Sequence, residues 1–141
     1  MNSPVCVDAS LVLKLGLPEE GSEQVEALWR NWQRQGVEIV APPLLRYEIT
    51  SVLCNSVYQG RITPDEGFQI LTRLLALPIG FVATEELHLA AWETAMKLKQ
   101  PTAYDAHYLA LAEALGCELW TADRKLYQTA AAKIPQVHLV Y

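Results

Sequence analysis

The sequence predicts an α/β domain with a mainly parallel sheet, on three observations. Apolar runs of three or four residues recur at 4–7, 38–41, 79–82, 118–121 and 137–139, short enough and rich enough in β-branched side chains to be buried strands. Between them lie longer segments whose apolar residues return with helical period. The 141 residues contain no repeat, no low-complexity tract and no long linker, so one domain over 1–141 is expected. Strands that are apolar without alternation belong to sheets covered on both faces, which is the parallel arrangement.

Taken in order, Pro4-Val5-Cys6-Val7 is the first strand, with Asp8 just past its end. Ser10 can cap a short helix to Leu15, stopped by Gly16 and Pro18. Gly21 to Gln35 reads as an amphipathic helix with Val25, Leu28, Trp29 and Trp32 inward, ended by Gly36. Glu38 to Ala41 is the second strand, halted by Pro42-Pro43, and Leu44 to Gln59 a long helix. Thr63-Pro64-Asp65-Glu66 is a capping box with proline at the first helical position, opening a helix that ends before Pro78. Ile79 to Val82 is the third strand, and Thr84 starts a helix reaching about Leu98. After Pro101 comes a helix that is apolar nearly all round, closed by Gly116. Glu118 to Thr121 is the fourth strand, Asp123 to Ala132 a helix, and Val137 to Leu139 the last strand.

Composition bounds the chemistry. A hydrophobic fraction of 51% with 19% charged residues is that of a folded globular chain able to bury a core. No apolar run approaches the ~18 residues of a membrane span, and Asp8 interrupts the segment that a secretory signal would need. Cys6, Cys54 and Cys117 are odd in number and far apart, which fits small core residues in a reducing compartment; cytoplasm is the expected location. A net charge of −5 argues against a broad basic surface for nucleic acid, but leaves room for local contact with phosphate.

Four acids stand where solvated surface charges do not belong. Asp8 and Asp123 follow the first and fourth strands, at the carboxyl edge where open α/β sheets bind ligands. Asp105 shares a helix face with Tyr108, Leu109 and Ala112, and Glu48 interrupts the stripe of Leu45, Ile49 and Val52. Each has a plain structural role available: Asp123 as an N-cap, Asp105 as a complement to a helix dipole, Asp8 in a tight turn, Glu48 reaching to solvent. Together they suggest one shared site. Four converging carboxylates repel unless a cation compensates them, and hard Mg²⁺ or Mn²⁺ prefers oxygen ligands. His88, His107 and His138 are scattered and form no zinc pattern. Such a site most often serves phosphoryl chemistry, with hydrolysis by metal-activated water as the economical mechanism.

Four segments then carry a resemblance. Val7-Asp8-Ala9-Ser10, Pro43-Leu44-Leu45-Arg46-Tyr47-Glu48-Ile49, the run from Thr102 to Ala112, and Leu119-Trp120-Thr121-Ala122-Asp123-Arg124-Lys125-Leu126 resemble, in that order, the motifs of PIN-domain nucleases. Spacing and length look most like the VapC-type toxin ribonucleases of toxin–antitoxin pairs, over nearly the whole chain. The resemblance implies a five-stranded parallel sheet of order 3-2-1-4-5, flanked by helices in three layers, and a Mg²⁺- or Mn²⁺-dependent endoribonuclease. It implies Asp8, Glu48, Asp105 and Asp123 as catalytic and metal-binding acids, supported by the hydroxyls of Ser10 and Thr121. It also implies a homodimer and a small antitoxin protein as partner. One departure is Ser51, where an asparagine often follows the helical Glu.

Lys14, Arg46, Arg124 and Lys125 could meet RNA phosphates or an acidic antitoxin group, against solvated surface charge as the plainer reading. Trp29, Trp32 and Tyr58 could stack bases, with core or dimer packing favoured. Rival readings are a housekeeping RNA-processing nuclease without antitoxin and a non-catalytic binding module on the same scaffold. A receiver-like domain would need a lysine on the last strand, which Val137 to Tyr141 lacks.

Overall fold

The computed structural model describes residues 3–141. Its elements, in chain order, are β1 (Val5–Val7), α1 (Ala9–Leu13), α2 (Ser22–Gln35), β2 (Ile39–Ala41), α3 (Leu44–Tyr58), α4 (Pro64–Leu75), β3 (Gly80–Phe81), α5 (Glu85–Lys97), α6 (Tyr104–Leu115), β4 (Glu118–Thr121), α7 (Arg124–Ala130) and β5 (Val137–Leu139). The sheet has order β3-β2-β1-β4-β5 and every pairing is parallel. β1 lies central, with Val5 opposite both Ile39 and Glu118, and Cys6 opposite both Val40 and Leu119. Strand order reverses between β1 and β4, so the connections leaving these two strands flank the crevice of an open α/β sheet.

β1 and β2 are buried at every position, as uninterrupted apolar strands between helix layers should be. Leu11, Leu45, Ile49, Leu109, Leu111 and Leu119 are among the side chains with almost no exposure, each worth about 1.5–3 kcal/mol of apolar transfer. α6 buries its middle, Ala106 and Tyr108 to Ala112, while both ends are exposed, and it packs most extensively on α5. Gly116 closes it at φ +61°, the left-handed turn that lets β4 start at once. Gly21 stands at φ +88°, and a Cβ there would lie 2.2 Å from the Tyr141 ring, so that corner admits no side chain.

Several boundaries differ from those the sequence predicted. Asp8, not Ser10, caps α1, because its carboxylate accepts from the Leu11 amide, and Ser10 becomes the second helical residue. β3 keeps only two residues: the Ile79 amide turns back to Leu77, and pairing with β2 ends at Phe81, after which Val82 makes one last bond to Ala41. α7 ends at Ala130 instead of Ala132. In α3 the buried stripe turns from Val52, which is exposed, to Leu53. Cys6 and Cys117 are buried as expected, but Cys54 is exposed. Among the described residues, no helix is long and apolar enough to cross a membrane.

Candidate active site

Asp8 sits where β1 hands over to α1, and the local sequence fixes its carboxylate from three sides. Oδ1 accepts from the Leu11 amide at 3.1 Å and from the Ser10 hydroxyl at 2.7 Å. Oδ2 accepts from the Thr121 hydroxyl at 2.5 Å. Thr121 ends β4, the strand beside β1, so this bond closes the seam between the two connections. Ser10 Oγ also accepts from the Ala122 amide at 3.1 Å, and Thr121 Oγ1 from the Asp123 amide at 3.0 Å. Asp123 in turn caps α7, its Oδ1 accepting from Lys125 and Leu126 at 2.9 and 3.2 Å. The capping roles open to Asp8 and Asp123 are therefore both used, and both through Oδ1.

Glu48, half-buried on α3, reaches the same edge from the other side. Its Oε1 accepts the hydroxyl proton of Tyr108, a side chain of α6 with 1% exposure. Asp105 opens α6 one turn earlier and is exposed; it lines with Asp123, Thr102 and Lys125 a cavity of about 310 Å³. Asp8 and Glu48 are not part of that lining. Of the four predicted acids, Asp8 and Asp123 follow β1 and β4 at the carboxyl edge of the sheet, Asp105 shares a cavity with Asp123, and Glu48 is tied to α6 through Tyr108.

A family model of the PIN domain matches residues 5–132. The chain belongs to the PIN domain family. It is 33% identical over 129 residues to Ribonuclease VapC3 of Pyrobaculum aerophilum, covering 91% of this chain and 95% of that protein. It is also 33% identical over 131 residues to Ribonuclease VapC9 of Mycobacterium tuberculosis, covering 93% and 94%. Two solved structures share the fold: PAE2754 from Pyrobaculum aerophilum, with TM-score 0.68 and 24% identity over 89% of this chain and 78% of that one; and a toxin–antitoxin complex from Klebsiella pneumoniae, with TM-score 0.67 and 17% identity over 97% and 98%.

In this PIN domain the carboxyls of Asp8, Glu48 and Asp105 are raised, in each case first by desolvation. Burial raises the Asp8 carboxyl from 3.8 to about 6, despite the lowering effect of Thr121, Ser10 and Leu11, and the Asp105 charge adds to the rise. Glu48 is raised first by burial and also by Asp105, while the Tyr108 hydroxyl and His107 oppose the shift. Asp105 is raised first by partial desolvation at the rim and then by Asp123, with Lys125 offsetting. Asp105 is the common partner: it feels Asp123 and is felt by Asp8 and Glu48. Three carboxyls remain raised although His107 and Lys125 oppose the shift, which leaves a local demand for positive charge.

That donor set, all carboxylate and hydroxyl oxygen, fits a hard cation such as Mg²⁺ or Mn²⁺ chemically. Among the described residues, no three His, Cys, Asp or Glu side chains already stand close enough to hold an ion. The acids are coupled through Asp105 but not drawn into a cluster.

The predicted cationic contacts divide. Lys14 lies 3.4 Å from Glu19 and 5.6 Å from the centre of the Tyr141 ring, and Arg124 lies 5.1 Å from the same centre. Arg46 stacks on Phe81 at 3.9 Å, apart from them. Trp29 and Trp32 are buried and pack edge to face at 6.0 Å, so they stack no base; Tyr58 is exposed. Two features escaped the sequence. Tyr108 reads there as one more core residue, and its hydroxyl partner lies 60 positions away. His88 and His107, read as scattered, touch: His88 Nδ1 is 2.9 Å from His107 Nε2. Their positions on two different helices gave no short-range signal.

Proposed function

We propose that this PIN domain is an endoribonuclease that hydrolyses RNA phosphodiesters with Mg²⁺ or Mn²⁺, and that it is the toxin of a type II toxin–antitoxin pair. The observation that carries the reading is the Asp105-centred set of raised carboxyls at the β1/β4 crevice, buttressed by Ser10, Thr121 and Tyr108. Support for RNA as substrate comes from the relatives, which are named ribonucleases. The antitoxin proposal draws on the fold shared with a protein solved in a toxin–antitoxin complex.

In the proposed reaction a water oxygen bonds to phosphorus, one phosphorus–oxygen ester bond breaks, and the water proton ends on the leaving oxygen. A divalent cation in such a site lowers the pKa of a water and neutralises charge on the phosphate. Asp8, Glu48, Asp105 and Asp123 would hold it. Thr121 and Ser10 fix the Asp8 oxygens by hydrogen bonds, and Tyr108 fixes one Glu48 oxygen, so each carboxylate presents a defined lone pair instead of a rotating one. Lys14, Arg46 and Arg124 are assigned to phosphate oxygens along the RNA or to an acidic antitoxin group. A small antitoxin, a homodimer and a cytoplasmic location complete the proposal.

The test is cleavage of a mixed RNA panel, with and without Mg²⁺ or Mn²⁺, by the wild type and by Asp8→Asn. Cleavage that needs the ion and falls by three orders of magnitude or more, on the order of a lost catalytic group, is expected. Undiminished cleavage by a folded Asp8→Asn protein would refute the assignment. Co-purification of a small protein from the native host tests the antitoxin separately.

A further inference from the structure

Beside the acid-lined crevice, a second cavity of about 430 Å³ opens where the N-terminal turns of α3, α5 and α6 meet. Its wall is mostly apolar, from Pro42, Leu87 and their neighbours, and it carries four ring side chains: Tyr47, His88, Tyr104 and His107. Tyr47 is 73% and Tyr104 60% exposed, a heavy cost in unburied aromatic surface for a free protein. Tyr47 immediately precedes Glu48 and Tyr104 immediately precedes Asp105, so the cavity shares two helices with the acids.

The histidines give the cavity a defined polarity. His107 Nδ1 lies 2.6 Å from the Ala103 carbonyl, which can only accept, so Nδ1 carries a proton, and in the neutral ring Nε2 then holds the lone pair. Nε2 then accepts from His88 Nδ1 at 2.9 Å, which leaves the His88 Nε2 of the neutral ring as an acceptor. An apolar slot with exposed phenol rings and a fixed acceptor suits a flat, aromatic ligand that has N–H donors on its edge. The positive ends of three helix dipoles meet at the same place and favour electron-rich groups such as ring carbonyls.

We propose that this cavity is a nucleobase subsite, in which a base of the RNA stacks on Tyr104 or Tyr47 and donates an edge N–H to His88. The proposal rests on the nuclease reading and adds to it the means of choosing where to cut. Arg46, next to Tyr47 on α3 and with its guanidinium 3.9 Å from the centre of the Phe81 ring, is the cation assigned to the phosphate of that nucleotide.

The experiment follows the His88 and His107 imidazole resonances by NMR in the metal-free protein, during titration with the four nucleoside 5′-monophosphates and with ribose 5-phosphate. Saturable shifts of both histidines by at least one nucleotide, and none by ribose 5-phosphate, are expected. Tyr104→Ala and His88→Leu, checked for native melting, should weaken half-saturation about tenfold, the scale of one lost base stack. Equal shifts with ribose 5-phosphate, no shifts with any nucleotide, or shifts that track protein concentration because a second copy fills the cavity, would each overturn the subsite. RNA cleavage without nucleotide-induced shifts defeats this inference alone. Nucleotide binding without RNA cleavage defeats the nuclease reading instead.

Discussion

The Asp8 carboxyl holds its proton up to about pH 6, whereas in the unfolded chain it would lose it near 3.8. Between those values the folded state binds more protons than the unfolded one, so stability falls as pH rises. The contribution is fully present below about pH 3.8 and lost above about 6, on the order of 3 kcal/mol. Thermal melts in chelator from pH 4 to 7 should show this loss, and Asp8→Asn should flatten it. The opposite slope would mean that the carboxyl is not desolvated. Tyr108→Phe removes only the hydroxyl that holds Glu48; cleavage is predicted to fall about 10- to 100-fold, the cost typical of a support behind a metal ligand. A variant as active as wild type would show that Glu48 needs no such support. At this scale the sequence was legible where an acid broke an apolar pattern, as Glu48 does. It was opaque where a residue's partner lies far along the chain, as with Tyr108 and with His88 and His107.

Single elements carry double duties, and substitutions can separate them. Asp123 caps α7 through Oδ1 and lines the crevice with Asp105. Asn caps helices about as well as Asp, while Ala loses about 1 kcal/mol. Asp123→Asn should therefore melt close to wild type and Asp123→Ala lower, while both lose cleavage. An active Asp123→Asn would leave Asp123 as a cap only. The elements themselves were readable because proline, glycine and capping residues punctuate the chain: the Thr63 capping box and the Gly116 stop stand where the sequence put them. Asp8 displaced Ser10 as cap although both residue types cap well: the Leu11 amide bonds the Asp8 carboxylate, which the tertiary bond from Thr121 holds in place. β3 shrank because an edge strand is paired on one side only, and the chain leaves the ladder as soon as the pairing ends.

For the whole molecule, the order β3-β2-β1-β4-β5 decides which chain ends become neighbours. Periodicity could foresee strands and helices but not their order across the sheet, which entered through the resemblance of four motifs. Those motifs lie in segments that the sheet brings to one edge, which is why spacing along the chain was informative about a site in space. The net charge of −5 also has a consequence. With Lys14, Arg46 and Arg124 as the phosphate contacts, binding to single-stranded RNA should depend on salt with a log–log slope of about −2, from three contacts at ~0.7 each. A much steeper slope would demand more phosphate contacts than these three.

In the proposed site, Asp105 joins the other three acids around one divalent cation. Calorimetric titration of Mn²⁺ into wild type and into Asp105→Asn tests it most directly, at pH 7.5 where Asp8 is ionised. Saturable binding by the wild type, weakened at least tenfold in the variant, is expected. Equal binding by both proteins, or RNA cleavage by a wild type that binds no Mn²⁺ or Mg²⁺, would contradict it.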